Sequence, residues 1–174
     1  LGNPNASLDE DSRTDPRIIQ ALAAVGGFAD AVEPIGSDAA YEDCLAYCMA
    51  FEETAALANP ILRAAMPILD SITSSTETIT GVDDNEINLH IHRPKSSDGR
   101  LPCIVHTHGG GMVLMTAEDP PFVRWRDSLA DMGMVVIGVE FRNGGGRLGN
   151  HPFPAGLNDC AEALQWTYTN RERL

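Results

Sequence analysis

A mixed α/β fold, with a mostly parallel sheet, helices on both faces and a helical lead-in, is what this sequence predicts. Three observations carry that expectation. Residues up to about 72 place apolar side chains at three-to-four spacing, residues 85–93 alternate, and residues 101–107 and 134–141 are nearly continuous apolar runs separated by a helical stretch. Alternation marks a strand with one buried face, and a continuous run marks one buried on both. Two such runs joined through a helix mark a parallel crossover.

The elements follow in order. Asp15-Pro16 places a cap before a proline at the first helical position, and Ile18, Ile19, Leu22 and Val25 then form one stripe that Gly26-Gly27 ends. A second helix is expected from near Ser37, with Tyr41, Cys44, Leu45, Cys48 and Phe51 on one face, broken at Asn59-Pro60. A short third helix would carry Ile61, Leu62, Ala65, Ile68 and Leu69, kinked at Pro67. Thr76–Thr80 and Asn85–Arg93 predict a hairpin. In its second strand Ile87, Leu89 and Ile91 share one face, while Asn88, His90 and His92 share the polar face of an outer strand. Leu101–Thr107 and Met134–Phe141 are the two buried strands, with a helix around Phe122–Met132 between them. A final helix over Ala155–Asn170 is expected to turn Leu157, Ala161, Leu164 and Tyr168 inward. There are no internal repeats.

Composition narrows the function classes. The 174 residues suffice for one domain with a core, and 43% apolar with 21% charged residues is ordinary for a globular chain. A formal charge of −13 repels phosphates, so nucleic acids and anionic membrane surfaces are excluded as partners. The longest apolar run, Met132–Val139, is interrupted by Gly133 and Gly138 and is far too short to span a bilayer. The first residues, LGNPNASLDEDSRTD, are polar and acidic, unlike a secretory signal, and are expected to form a loose lead-in. Asn5-Ala6-Ser7 matches a glycosylation triplet of the kind that arises by chance. Cys44, Cys48, Cys103 and Cys160 lack the two-residue gaps of zinc knuckles. They are read as buried or half-buried hydrophobes in a reducing compartment, with the cytoplasm as the expected location.

The segment that carries chemistry is His108-Gly109-Gly110-Gly111-Met112, directly after a buried strand. Three successive glycines lose much entropy on folding and suit a place where side chains would obstruct the backbone. At a strand's end they let N–H groups turn into a cleft, where they stabilise the oxyanion formed when an ester carbonyl is attacked. The plainer reading, a flexible connector, does not account for the buried strand, the histidine and the apolar residue around them.

This strand-HGGG-apolar segment resembles the hormone-sensitive-lipase family of α/β-hydrolase esterases, in particular the brefeldin A esterase-like branch. Val139-Glu140-Phe141-Arg142 followed by His151-Pro152-Phe153-Pro154-Ala155-Gly156-Leu157-Asn158-Asp159 is similar to a second family segment, in the same order and spacing. The opening Asp15-Pro16-Arg17 helix agrees as well. Glu140-Phe141 departs from the family's Asp-Tyr, and Gly144–Asn150 is a glycine-rich insertion. The resemblance implies carboxylic ester hydrolysis with no cofactor or metal. Gly109, Gly110 and Gly111 would form the oxyanion loop, with the N–H groups of Gly110 and Gly111 as donors. His108 and Met112 would contact substrate, Met112 lining the acyl pocket.

The family's Gly-x-Ser-x-Gly nucleophile segment has no counterpart here, and its acid and histidine would follow later still. The expectation is therefore the N-terminal part of an α/β-hydrolase fold: a helical cap region over residues 1–72, then the first half of the core over residues 73–174. The partners expected are a small-molecule ester and a C-terminal remainder of the same protein, with homo-oligomerisation open. Without that remainder, Cys103-Ile104-Val105 would present an unpaired apolar edge. The rival reading is a non-catalytic hydrolase-like binding module.

Other motifs yield blander readings. Gly144-x-Gly146-x-x-Gly149 matches a dinucleotide fingerprint, but Asn150-His151-Pro152-Phe153-Pro154 cannot start the helix that fingerprint requires. His90/His92 and His106/His108 are spaced to share faces, as a metal site would need, but the first pair is read as lying on the polar face of an outer strand and His108 as part of the oxyanion motif. Arg142 and Asp159 are expected to form a structural ion pair. Ser128 lies mid-helix without flanking glycines and is a poor nucleophile.

Overall fold

The computed structural model describes residues 10–24, 35–97 and 99–174. The expected stripe residue Val25, the Gly26-Gly27 stop and the Asn5 triplet lie outside the described residues. Eight elements follow one another: α1 (Pro16–Ala24), α2 (Tyr41–Ala65), β1 (Ile72–Thr80), β2 (Glu86–Pro94), β3 (Cys103–Thr107), α3 (Pro120–Asp131), β4 (Val135–Glu140) and α4 (Ala155–Thr169).

The four strands form one mixed sheet in the order β1-β2-β4-β3. β1 and β2 are an antiparallel hairpin with Ile72 opposite Pro94 and Thr80 opposite Glu86. β4 then inserts beside β2, antiparallel to it, and β3 lies parallel on its other side. Crossing from β3 to β4 through α3 is the predicted parallel unit.

Two helices cover the two faces. On one, Ile87, Leu89, Ile91, Val135, Ile137 and Val139 pack with Phe141 and with Ala163 of α4. Ile87, Leu89, Ile137 and Val139 have no exposed surface, and burying each contributes roughly 1.5–3 kcal/mol. On the other, α3 lies over His90, His92 and Gly138. Arg126 of α3, 1% exposed, occupies the space above Gly138; a Cβ there would stand 2.7 Å from its Cζ. Only glycine lets a guanidinium approach the sheet so closely.

Several expectations are corrected. The helix does not break at Asn59-Pro60: α2 runs 25 residues through Pro60 and ends at Met66, whose extended backbone (φ −82°, ψ 133°) is the one imposed before Pro67. A helix tolerates the loss of one donor where the ring faces water, and Pro60 is exposed. α4 turns its other face inward: Gly156, Asp159, Ala163 and Thr167 are buried, whereas Leu157, Leu164 and Tyr168 are 50%, 59% and 64% exposed. At the start of α4 the backbone comes close to the chain leaving β4: a Cβ on Gly156 would overlap the Arg142 carbonyl, while Cys160 and Trp166 pack against the core further along. β2 is an interior strand, so His90 and His92 are buried instead of lying on an outer polar face. β3 is the edge strand among the described residues, as expected for this part of the chain; Cys103 and Thr107 are exposed and the three residues between them half-buried, so the burial on both faces suggested by its apolar run is not complete here. Cys48 is buried and Cys44 and Cys160 half-buried, as expected. No helix among the described residues is long and apolar enough to cross a membrane.

Candidate functional site

The glycine loop leaves the end of β3 and returns on itself. Gly110, Gly111 and Met112 all have left-handed backbone, with φ of +110°, +66° and +59°. Val113 and Leu114 donate their N–H groups to the Gly110 carbonyl, closing a tight turn. Met112, not a glycine, holds a conformation that costs an L-residue roughly 1–2 kcal/mol. Among the described residues the N–H groups of Gly109, Gly110, Gly111 and Met112 donate to no protein acceptor. A concave run of unpaired amides of this kind attracts an anion.

His108 underlies the loop. Its side chain is fully enclosed, stacked on the Phe141 ring at 4.2 Å and 7°, so it does not present itself to a substrate as expected. The stacking partner comes from the end of β4, which inserts directly beside β3. His108 Nδ1 stands 2.7 Å from the Gly109 carbonyl, which can only accept, so Nδ1 carries the proton. Burial lowers the His108 pKa, outweighing the opposing pull of the Gly109 carbonyl and of Glu140 and Asp119. The imidazole is neutral at neutral pH and adds no charge beneath the amides. Met112 is 40% exposed, and its side-chain tip lies beside Gly156 at the start of α4.

Three clamps hold the loop. The Gly144 and Gly145 N–H groups donate to the carbonyls of Met112 and Val113 at 2.9 and 2.7 Å, so the glycine-rich insertion forms the loop's outer wall. Asn143 Nδ2 donates to the Met115 carbonyl at 2.7 Å. The third clamp is Glu52 of α2, 3% exposed, which accepts the Met115 N–H at 2.5 Å and the Arg147 N–H at 2.7 Å. One carboxylate thus ties the long N-terminal helix to both the glycine loop and the insertion. Nothing in the sequence marks it: Glu52 reads as one of two adjacent acids on an acidic helix. Hydrogen bonds to a charged group contribute about 1.5–3 kcal/mol each. Glu52→Ala is therefore expected to lower the denaturant midpoint of the protein substantially while Glu53→Ala, exposed next to it, leaves it unchanged; equal midpoints would remove the clamp.

The remaining expected features are placed as follows. Arg142 and Asp159 meet: Arg142 Nε and Nη2 donate to the Asp159 carboxylate at 2.9 and 2.8 Å, and the Arg142 N–H joins them at 2.9 Å. Gly144, Gly146 and Gly149 precede no helix; α4 begins only at Ala155, so the fingerprint has no helix terminus for a pyrophosphate. Ser128 Oγ donates to the Arg124 carbonyl within α3 at 2.8 Å.

Comparison with known proteins finds carboxylesterases and other esterases. A family model described as BD-FAE matches residues 89–174. Among curated proteins, the chain is similar to "Probable carboxylesterase 1" of Arabidopsis thaliana, 28% identical over 96 residues, which make up 52% of this chain and 29% of that protein. It is also similar to "Hydrolase 4" of Catharanthus roseus, 31% identical over 87 residues, 47% of this chain and 26% of that one. Among solved structures, it superposes on brefeldin A esterase, described as a bacterial homologue of human hormone-sensitive lipase. That match has a TM-score of 0.78 and 36% identity, and covers 99% of this chain and 48% of that one. Esterase Est22 matches with a TM-score of 0.77 and 28% identity, over 97% of this chain and 50% of that one. The chain spans about half the length of the solved esterases it matches.

Proposed function

We propose that this chain is part of an esterase-type α/β-hydrolase and that the protein it belongs to hydrolyses carboxylic esters, with Gly109–Gly111 as its oxyanion loop. A serine outside residues 1–174 attacks the ester carbonyl. Charge develops on the carbonyl oxygen as it becomes tetrahedral, and the N–H groups of Gly110 and Gly111 take up that charge while Gly109 shapes the turn. The observation that carries this reading is the run of amides at the end of β3 that donate to no protein acceptor. The neutral His108 beneath them and the clamps from the insertion and Glu52 support it, because preorganised donors need not reorient during reaction. Residues 1–72 serve as a helical cap over the acyl side and residues 73–174 as the first part of the core.

Active-site labelling tests the proposal. The intact protein is expected to hydrolyse short p-nitrophenyl esters and to take up one fluorophosphonate per molecule, on a serine outside residues 1–174. Residues 1–174 alone are expected to show no turnover above a boiled control. Labelling at Ser128 would overturn it by placing the nucleophile within residues 1–174; an intact protein that neither turns over nor labels would overturn it and leave the binding-module reading.

A further inference from the structure

Beneath the glycine loop, on the sheet face covered by α3, lies a group of polar side chains that the ester-hydrolysis reading does not use. We propose that His90, Glu118 and Glu140 form a binding site for a single zinc-class divalent cation. This inference is independent of the esterase reading.

The geometry comes first. One ligand atom from each of the three residues lies within 4.8 Å of the other two, and His90 Nε2 stands 3.9 Å from Glu140 Oε2. Ligands at the usual zinc distances of about 2.0–2.2 Å stand roughly 3.5 Å apart around a tetrahedral ion, so small side-chain movements close the site. The elements that bring them together are far apart in sequence: His90 is interior in β2, Glu140 ends β4, and Glu118 lies in the segment before α3.

The second observation is an unpartnered donor atom. His90 is 9% exposed, and among the described residues its buried Nε2 has no hydrogen-bond partner. Leaving a polar atom so buried costs free energy unless something fills it. Its other nitrogen, Nδ1, lies 3.2 Å from Thr76 Oγ1 on β1. A hydroxyl accepting the Nδ1 proton leaves a lone pair on Nε2, the tautomer that a metal-binding histidine adopts. Glu140 is oriented in the same way. Its Oε1 accepts the Ala117 N–H at 2.8 Å, leaving Oε2 toward His90. Ala117 is the neighbour of Glu118, so the backbone that fixes one carboxylate also places the other.

Two arginines stand nearby: Arg126, which forms no ion pair among the described residues and donates Nε to His92 Nε2 at 3.0 Å, and Arg63, whose Nη2 donates to the Glu118 carbonyl at 3.5 Å. Two carboxylates and an imidazole are the donor set of many zinc sites, and carboxylate ligands offset the charge of a divalent ion. A cavity of about 220 Å³ lined by Thr76, His90, His92, Glu118 and Arg126 leads in from the surface, with room for a water as fourth ligand. The sequence reading set these histidines aside because it placed His90 on the polar face of an outer strand. In the interior strand it occupies, that ground is gone.

Metal titration of the intact protein, first stripped by chelation, tests the site. Zn²⁺ is expected to bind at one equivalent by calorimetry, and Co²⁺ to give the visible absorption of a four-coordinate ion. Glu118→Gln, at an exposed position that does not threaten folding, is expected to weaken Zn²⁺ binding at least about 10-fold, and His90→Asn to abolish the Co²⁺ bands. A wild-type protein that binds no stoichiometric Zn²⁺, or a Glu118→Gln variant that binds as tightly as wild type, would overturn the proposal.

Discussion

Alanine at position 110 is expected to lower kcat of the intact protein toward a short p-nitrophenyl ester by about 10²–10³-fold, with little change in KM. Gly110 has φ +110°, and a Cβ there would overlap the carbonyl oxygen of Leu114. That carbonyl belongs to the turn closed by the Val113 and Leu114 N–H groups on the Gly110 carbonyl, so it cannot move without opening the turn. The amides of Gly110 and Gly111 would swing away from where the oxyanion forms. A donor that acts only on the transition state costs kcat and leaves ground-state binding nearly intact. Position 111 supplies the control. Gly111 has φ +66° but nothing within 4 Å of its would-be Cβ, so alanine there meets strain of roughly 1–2 kcal/mol and no overlap. Its loss is expected to be the smaller. An unchanged kcat in Gly110→Ala would take the loop out of the mechanism. Equal losses at both positions would show that the Leu114 contact is not what matters.

Arg142→Ala is expected to destabilise the protein by about 3–5 kcal/mol at neutral pH, because it strands a buried carboxylate. Asp159 is 1% exposed and is held by the Arg142 guanidinium, by the Arg142 N–H and by Asn85 Nδ2 at 3.1 Å. Burial on its own raises the Asp159 pKa. The Arg142 contacts and the Asn85 amide outweigh it and hold the carboxyl below its ordinary value of 3.8. A carboxyl depressed in the folded state contributes stability that is fully present above the unfolded-state pKa and is lost as pH falls through the folded-state pKa. Wild type should therefore lose this contribution on acidification below 3.8. In Arg142→Ala the guanidinium is lost while the position-142 N–H and Asn85 still donate, so the Asp159 pKa is expected to rise and the loss of stability on acidification to shrink. Urea midpoints measured for both proteins down to about pH 3 check this. A variant as acid-sensitive as wild type, or one within about 1 kcal/mol of it at neutral pH, would show that the pair does not carry the load argued for it.

The two loci differ in how far the sequence could reveal them. The glycine loop was legible because three glycines after an apolar run, with His108 before and Met112 after, form a local pattern. Arg142 and Asp159 were legible from their spacing within a segment of recognisable wording. Glu52 and Arg126 were not. Each is an ordinary charged residue on a helix, and each is buried because of what lies opposite it. For Glu52 these are two backbone N–H groups 63 and 95 residues further along the chain; for Arg126 it is a glycine in a strand. The inward face of α4 was misread for the same reason. Periodicity finds the apolar stripe Leu157, Ala161, Leu164 and Tyr168, but the face turned to the sheet buries Gly156, Asp159, Ala163 and Thr167, with Cys160 and Trp166 packed at its flanks.

By itself the sequence determined the kinds of element and their order, the hairpin, the crossover through α3 and the loop from which chemistry is expected. These depend on periodicity, turn residues and local backbone freedom, which act over a few residues. Tertiary structure alone decided that β4 lies between β2 and β3 and that His90 is interior. It also decided which carboxylates clamp the glycine loop and which face a bare imidazole. Those outcomes depend on which surfaces meet across tens of residues, and a buried charge keeps its place only where the opposing partner, set by the whole packing, offsets the cost of leaving water.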